Sequence, residues 1–284
     1  TPSFGWQIMF FIAGIPLLVL PILYLYLPES LTFLVKKQQN EKASKIVQQI
    51  SPEQNVTAST QFVLNEVHAP DASIAALFKQ GRSMSTLLFW CCFFMCLLMV
   101  YALGSWLPKL MMAAGYSLGN SLMFLMAMNI GAVVGTIGGG ILADRFHLKP
   151  VIIGMFLLGA VSLVGLGFNS PQAVIYLLVA AAGASAIGSS ILLYSFVAQY
   201  YPLAIRSTGI GCASAVGRVG AIVGPIIIGF LLGMELPHKM NFLAVAIPAI
   251  IGAISVAMIV RKDLNAERNA ETLLAKQKLN SIKT

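Results

Sequence analysis

Long apolar segments alternate with shorter polar segments along most of the chain, and this pattern predicts membrane-spanning helices. A helix that crosses about 30 Å of hydrocarbon needs about 20 mainly apolar residues. Seven segments reach that length, and we place them at residues 5–27, 86–107, 119–143, 150–168, 172–198, 207–233 and 241–260. The sequence therefore predicts an all-α fold, a polytopic transmembrane helical bundle with seven spans.

The first two spans are separated by the one long polar segment of the chain, residues 28–85. Apolar residues recur among lysines and glutamines over residues 29–50, which predicts one or two short amphipathic helices, and residues 74–78 suggest a further interfacial turn. Four regions follow from this organisation: a single span (1–27), a central cytoplasmic loop with short amphipathic helices (28–85), a six-helix transmembrane domain (86–261) and a cytoplasmic tail (262–284).

Basic residues are distributed in the way that is typical of membrane proteins. Only 10% of the residues are charged, compared with about 25% in soluble domains. Fifteen of the 18 lysines and arginines fall on one side of the predicted bundle, whereas Lys109 and Lys239 fall on the other. The positive-inside rule places the fifteen in the cytoplasm. We therefore expect a multi-pass protein in a lipid bilayer with a cytoplasmic C-terminus, and the net charge of +8 does not indicate nucleic-acid binding.

The chain begins with Thr1 rather than methionine, and no charged segment precedes its first predicted span. We therefore expect the C-terminal piece of a longer protein. The four cysteines, Cys91, Cys92, Cys96 and Cys212, all fall within predicted spans, where we expect them to behave as small apolar residues without a disulfide framework. The sequence predicts no metal site and no cofactor.

Arg218 is the one charged residue inside a predicted span. A charge at membrane depth costs about 2.5–3.5 kcal/mol on insertion scales, so such a residue usually marks a substrate or ion pathway. A guanidinium is suited to a carboxylate because it stays charged and can bind both oxygens. The competing interpretation is a structural charge, satisfied by backbone carbonyls or by a partner outside this sequence.

Small residues recur at helical spacing in two of the spans. Membrane helices pack closely along such stripes, because small side chains let the backbones approach. We therefore expect tight helix contacts there, and the alternative is a pair of smooth faces that slide during a conformational change. The stripes are Gly131, Gly135 and Gly139 in the third span, and Gly209, Ala213, Gly217 and Ala221, with Gly220 and Gly224, in the sixth.

Four short motifs carry a family resemblance. Residues 138–145 read GGGILADR and resemble the G-x-L-A-D-R signature between helices 8 and 9 of the major facilitator superfamily, although His147 and Leu148 stand where that signature has Gly and a basic residue. The other motifs are LPES at residues 27–30, SWLP at 105–108 and the stretch 201–225, which contains YP, RSTG, GR and GP. Together they resemble the aromatic acid:proton symporters of that superfamily.

The resemblance implies that the chain is the C-terminal half of such a transporter plus one preceding helix. The implied activity is proton-coupled uptake of an aromatic carboxylic acid, of the benzoate or hydroxybenzoate type, by alternating access in the bacterial inner membrane. The implied partners are the aromatic carboxylate, a proton and the N-terminal half of the same chain. Because no acidic residue falls within a span, we expect the proton carrier in that half.

The resemblance also implies a gate, formed by Asp144, Arg145 and Gly140 at the cytoplasmic end of the third span. The competing interpretation is a solvated helix end. Within the spans, we expect Tyr101, Asn129 and Tyr194 to bind substrate together with Arg218, since ring contacts favour an aromatic substrate. Trp106, Ser190 and Gln199 are further candidates, and for every one of these side chains helix packing or an interfacial aromatic belt is the alternative.

Two other functions remain open from the sequence, and a third is disfavoured. A facilitator-type transporter of another substrate, such as a sugar, a dicarboxylate or another organic anion, has the same topology. A non-transporting membrane scaffold or sensor would use residues 28–85 as its reporting element, but it leaves Arg218 without a purpose. A membrane enzyme would need paired catalytic groups within the spans, and the sequence has none there, so we expect that the chain is not an enzyme.

Overall fold

The computed structural model describes residues 14, 19–21, 29, 34–35, 37, 39–50, 73–168, 170–234 and 237–260. The predicted loop 51–70 and tail 262–284 lie outside these residues, and so does most of the predicted first span. The chain divides into two compact units, Thr1–Val67 and His68–Thr284. In the first unit one helix, α1, covers Asn40–Ile50, within the segment that the sequence predicts to be amphipathic.

In the described part of the second unit, six long helices follow a 3-10 turn at Ile74–Phe78, the position predicted for an interfacial turn. All six are long and apolar enough to cross a membrane, so six of the seven predicted spans are confirmed, and the first lies largely outside the described residues. The helices are α2 (Ser83–Ala113), α3 (Leu118–Phe146), α4 (Leu148–Leu166), α5 (Gln172–Tyr200), α6 (Leu203–Gly233) and α7 (His238–Met258).

One boundary differs clearly from the prediction. The sequence places the end of the second span at residue 107, before Pro108, whereas α2 continues through Pro108 to Ala113. A proline within a membrane helix is tolerated when neighbouring groups satisfy the freed carbonyl. The motif that ends in Pro108 therefore lies inside a helix and does not terminate one.

The helices pack in pairs that the small residues make possible. Helix α2 packs along α6, α3 packs along α5, and α4 packs against α5 and α7. A methyl group added at Gly220 would overlap the backbone carbonyl of Phe94 on α2, and one added at Gly131 would overlap the carbonyl of Ala180 on α5. The predicted tight contacts along the glycine stripes are therefore confirmed, because no larger side chain fits between these backbones.

The six helices are buried to very different extents. The span of α2 and that of α7 are each 56% buried, whereas α3 is 28% and α6 is 22% buried. The core consists of apolar side chains, among which Phe89, Phe93 and Phe156 are almost completely buried. The faces left open in this unit therefore belong mainly to α3 and α6, the helices that carry Asn129 and Arg218.

A buried polar cluster joins the beginning of α2 to the turn between α5 and α6. The Thr86 hydroxyl lies 2.8 Å from the Tyr201 hydroxyl and 2.9 Å from the carbonyl oxygen of Leu77 in the 3-10 turn. Thr86 is fully buried and Tyr201 is 1% exposed. Buried polar groups of this kind persist only when they are hydrogen-bonded, so the cluster fixes the position of the 3-10 turn against α6.

Candidate functional site

Arg218 and Tyr101 meet across the contact between α6 and α2. The Nη1 atom of Arg218 donates a hydrogen bond to the Tyr101 hydroxyl at 2.9 Å, and both side chains are exposed. The two helices approach closely enough because Gly217 lies against Phe93 and Leu97 of α2. The structure therefore brings together two of the four predicted substrate-binding residues.

No carboxylate among the described residues lies within ion-pair distance of Arg218. A guanidinium has five N–H donors in a planar fork, and the contact to Tyr101 uses a single one of its terminal nitrogens. The arrangement therefore orients the positive charge without neutralising it. Such a group can bind the carboxylate of a ligand, because its free N–H donors can form a charge-assisted, bidentate hydrogen bond.

Tyr194 on α5 joins this group through a residue that the sequence analysis missed. Its hydroxyl lies 3.0 Å from Ser214 Oγ on α6, and its ring meets the ring of Phe93 edge-on with centroids 4.9 Å apart. Ser214 precedes Arg218 by four residues, which places the two on the same face of a helix. Helical spacing from Arg218 is the signal in the sequence that identifies Ser214.

Asn129 on α3 is placed apart from Arg218. Its side-chain amide donates to the carbonyl oxygen of Leu125 on its own helix at 2.8 Å. Helix α3 packs mainly along α5, whereas Arg218 lies on the α2–α6 pair. The structure therefore does not join Asn129 to the other three side chains, and its role in binding stays a prediction.

The remaining candidates for a cavity lining are dispersed. The Ser190 hydroxyl donates to the carbonyl oxygen of Ile187 on its own helix at 2.7 Å. The indole ring of Trp106 lies beneath the ammonium group of Lys109, and Gln199 lies at the end of α5 that faces the predicted gate. None of these described contacts includes Arg218.

Two of the three predicted gate residues line a cavity of about 400 Å³ where the ends of α3, α4 and α5 meet. Gly140 and Asp144 line this cavity, whereas Arg145 does not, and its guanidinium lies over the ring of Phe146 at 5.5 Å. The cavity also contains polar and charged side chains from the two other helices. Those side chains are Lys149, Ser195, Gln199 and Tyr200.

His147 lies at the corner between α3 and α4 in a conformation that suits glycine. Its backbone angles are φ 69° and ψ 154°, which fall in a region that side chains with a Cβ rarely adopt and that costs about 1–3 kcal/mol. This explains why the signature has glycine at the position of His147. Nearby, Lys149 Nζ donates to the Ile259 carbonyl at 2.8 Å, so the ammonium group caps the C-terminal end of α7.

Comparisons with known proteins point to one family. The family model described as Major Facilitator Superfamily matches residues 1–147 and 123–283. A benzoate transport protein from Acinetobacter baylyi is 47% identical over 261 residues, which cover 91% of this chain and 56% of that protein. A gentisate transporter from Corynebacterium glutamicum is 33% identical, with 92% of this chain and 53% of that protein covered.

A third relative, a 4-hydroxybenzoate transporter from Acinetobacter baylyi, is 32% identical over 268 residues, which cover 90% of this chain and 57% of that protein. The chain thus spans a little over half the length of these curated relatives. All three are transporters of aromatic carboxylic acids by name.

Proposed function

This chain belongs to the Major Facilitator Superfamily, and we propose that it is the C-terminal half, plus one preceding helix, of a proton-coupled transporter of aromatic carboxylic acids. The predicted resemblance to aromatic acid carriers and the predicted helical-bundle fold are both confirmed. The family is one of transport proteins, so the prediction that the chain is not an enzyme is confirmed as well. The substrate, the coupling ion and the gate are proposals.

The observation that carries the proposal is the hydrogen bond from Arg218 to Tyr101. It holds one edge of the guanidinium against α2 and leaves the charge available to a carboxylate. The rings of Tyr101 and Tyr194 flank α6 on the same unit, and an aromatic substrate gains from ring contacts with such side chains. A single cation with aromatic neighbours favours a monocarboxylate with a ring over a dicarboxylate, which would need a second cation.

Alternating access requires a second half, and the open faces of α3 and α6 suit that role. These helices are the least buried of the six, and α6 carries Arg218. We expect an N-terminal half to complete the cavity from the opposite side and to supply the proton carrier, since the described spans contain no acidic residue or histidine at membrane depth. The lysine and arginine distribution supports a cytoplasmic C-terminus in a bacterial inner membrane.

The cavity at Gly140 and Asp144 is proposed as the cytoplasmic gate. Asp144 is an exposed carboxylate at the end of α3, and Lys149 from α4 lines the same cavity. A helix from the second half that enters this space would meet charges of both signs. Arg145 would act from outside the cavity, where its guanidinium lies over Phe146.

Uptake by the complete gene product tests the proposal. Cells that express it should accumulate labelled benzoate or 4-hydroxybenzoate, an uncoupler should abolish the accumulation, and Arg218→Ala should abolish it without loss of protein from the membrane. Arg218→Lys keeps the positive charge but loses the planar guanidinium that can bind both carboxylate oxygens. We therefore expect this variant to retain a small part of the uptake activity. Uptake that is insensitive to the uncoupler would contradict proton coupling, and uptake of sugars or dicarboxylates in place of ring acids would contradict the substrate class.

A further inference from the structure

Two lysines lie at the ends of helices opposite the basic loops, and each is placed over an aromatic ring. Lys109 Nζ on α2 lies 4.7 Å from the centroid of the Trp106 ring, and Lys239 Nζ on α7 lies 4.6 Å from that of Phe168. In the orientation proposed above, both pairs face the outside of the cell. Their geometry is nearly the same, but their positions relative to Arg218 differ.

Lys109 and Trp106 both lie on α2, one of the two helices that form the Arg218 site. Lys109 follows Tyr101 by eight residues, which is about 12 Å along the axis of α2. The Trp106 ring reaches across to α6, where a methyl group added at Gly229 would come within 3.1 Å of it. The α2–α6 pair therefore carries a cation at membrane depth and, about two turns further out on α2, a second cation beside an indole ring.

The Lys239–Phe168 pair lies elsewhere in the unit. Lys239 is at the beginning of α7 and Phe168 follows the end of α4, and these two helices pack against each other. Helix α7 makes few contacts with α6. This second pair is consistent with an interfacial lysine that stacks on the nearest ring, which is worth about 0.5–1 kcal/mol at an exposed site.

Lys109 is exposed, and no described carboxylate lies within ion-pair distance of it. Trp106 is half-buried, so part of its ring is accessible. An aromatic carboxylate complements both groups, since its anionic end suits the ammonium group and its ring suits the indole. We propose that Lys109 and Trp106 form an outer capture site, which binds the aromatic anion before it reaches Arg218.

In the orientation proposed above, Lys109 lies nearer the outer end of α2 than Tyr101, so an anion that enters from outside reaches Lys109 first. A positive charge at the outer end of α2 raises the local concentration of an anionic substrate, and this effect weakens as salt is added. The capture site rests on the proposed function, because it requires an aromatic anion as substrate.

Transport kinetics of the complete gene product in proteoliposomes test the capture site, with labelled benzoate as the probe. Lys109→Gln should raise KM about fivefold at low salt and leave kcat unchanged, which is the effect of one charge pair at about 4 Å in water. The increase should shrink at high salt. Lys239→Gln, the matched control, should leave both constants unchanged, and Trp106→Leu should raise KM whereas Trp106→Phe should largely preserve it.

The outcomes separate this inference from the proposed function. A KM for Lys109→Gln equal to that of Lys239→Gln, with uptake still abolished by Arg218→Ala, would overturn the capture site and keep the Arg218 site. A salt-dependent rise in KM for Lys109→Gln, with Arg218→Ala fully active, would keep the capture site and overturn the role of Arg218. If the unsubstituted protein takes up no aromatic acid, both are overturned.

Discussion

The Tyr101 hydroxyl accepts a hydrogen bond from Nη1 of Arg218 at 2.9 Å, although 117 residues separate the two along the chain. The contact joins α2 to α6 and orients the guanidinium that the sequence places alone in an apolar helix. The positive charge has no carboxylate partner among the described residues. Tyr101 therefore fixes the position of the guanidinium without neutralising its charge.

Tyr101→Phe should weaken substrate binding without unfolding the protein. The phenylalanine ring keeps the packing but cannot accept the hydrogen bond, which is worth about 0.5–1.5 kcal/mol. We expect KM for benzoate uptake to rise about two- to tenfold. Tyr116→Phe, which retains the edge-on contact between ring 116 and Phe124, is the control and should not change KM. An unchanged KM in Tyr101→Phe would remove the tyrosine from the account of the site.

Gly220→Ala should damage the α2–α6 contact. The added methyl group would overlap the backbone carbonyl of Phe94, and overpacking of this kind costs about 1–3 kcal/mol. We expect a lower thermal midpoint in detergent and reduced uptake. Gly211→Ala on the same helix is the matched control, because nothing lies within 4 Å of the methyl group it would add. Equal stability of the two variants would contradict the close approach of these helices.

His147→Gly should stabilise the protein. The backbone at this position costs about 1–3 kcal/mol for a residue with a side chain, and the greater freedom of glycine in the unfolded chain offsets about 0.4–1 kcal/mol of the gain. We therefore expect a net stabilisation of about 1 kcal/mol, measured as a raised thermal midpoint in detergent. Phe146→Gly, within the last turn of α3, should be destabilising. A lower midpoint for His147→Gly would show that the imidazole makes a compensating contact.

Thr86→Val and Tyr201→Phe should each destabilise the junction between the 3-10 turn, α2 and α6. Thr86→Val leaves the buried Tyr201 hydroxyl without this partner, which costs about 1–3 kcal/mol. The double variant should cost less than the sum of the two single ones, because both remove the same hydrogen bond. Strict additivity in a double-mutant cycle would contradict the contact.

The same cluster gives a dependence of stability on alkaline pH. Burial raises the pKa of the Tyr201 phenol, and its hydrogen bond with Thr86 opposes this only in part. A raised pKa means that the folded state favours the neutral phenol, so the stabilisation is fully present below the unfolded pKa of about 10 and is lost as pH rises through the higher folded value. We expect Tyr201→Phe to show a smaller loss of stability in that range. An identical alkaline profile would contradict the prediction.

The sequence was sufficient for the six spans that the structure describes, because about 20 apolar residues in a row have few other solutions. It also identified the glycine stripes, since small residues at helical spacing have one common use in membrane helices. It placed the end of α2 too early, because proline is a reliable stop signal only where water or a turn can take over its lost hydrogen bond.

The site was predicted less completely. Arg218 can be identified from the sequence alone, because it is a charge within an apolar span. Its contact with Tyr101 depends on how α2 crosses α6, which no local pattern specifies. Asn129 was predicted to bind substrate because it is polar and lies within a span. In the structure its side chain bonds to a carbonyl of its own helix, which a polar residue in a span can do equally well. Ser214 was not predicted, because a serine within a span is ordinary until its contact with Tyr194 is known.

The central claim is that Arg218 recognises the carboxylate of an aromatic acid, and titration calorimetry on the purified complete gene product tests it most directly. Benzoate and benzamide have nearly the same shape but differ in charge. We predict that benzoate binds at least about tenfold more tightly than benzamide, since a hydrogen bond to a charged group is worth about 1.5–3 kcal/mol, and that Arg218→Ala abolishes the difference. Equal affinities in the unsubstituted protein, or a preference for benzoate that survives in Arg218→Ala, would contradict the claim.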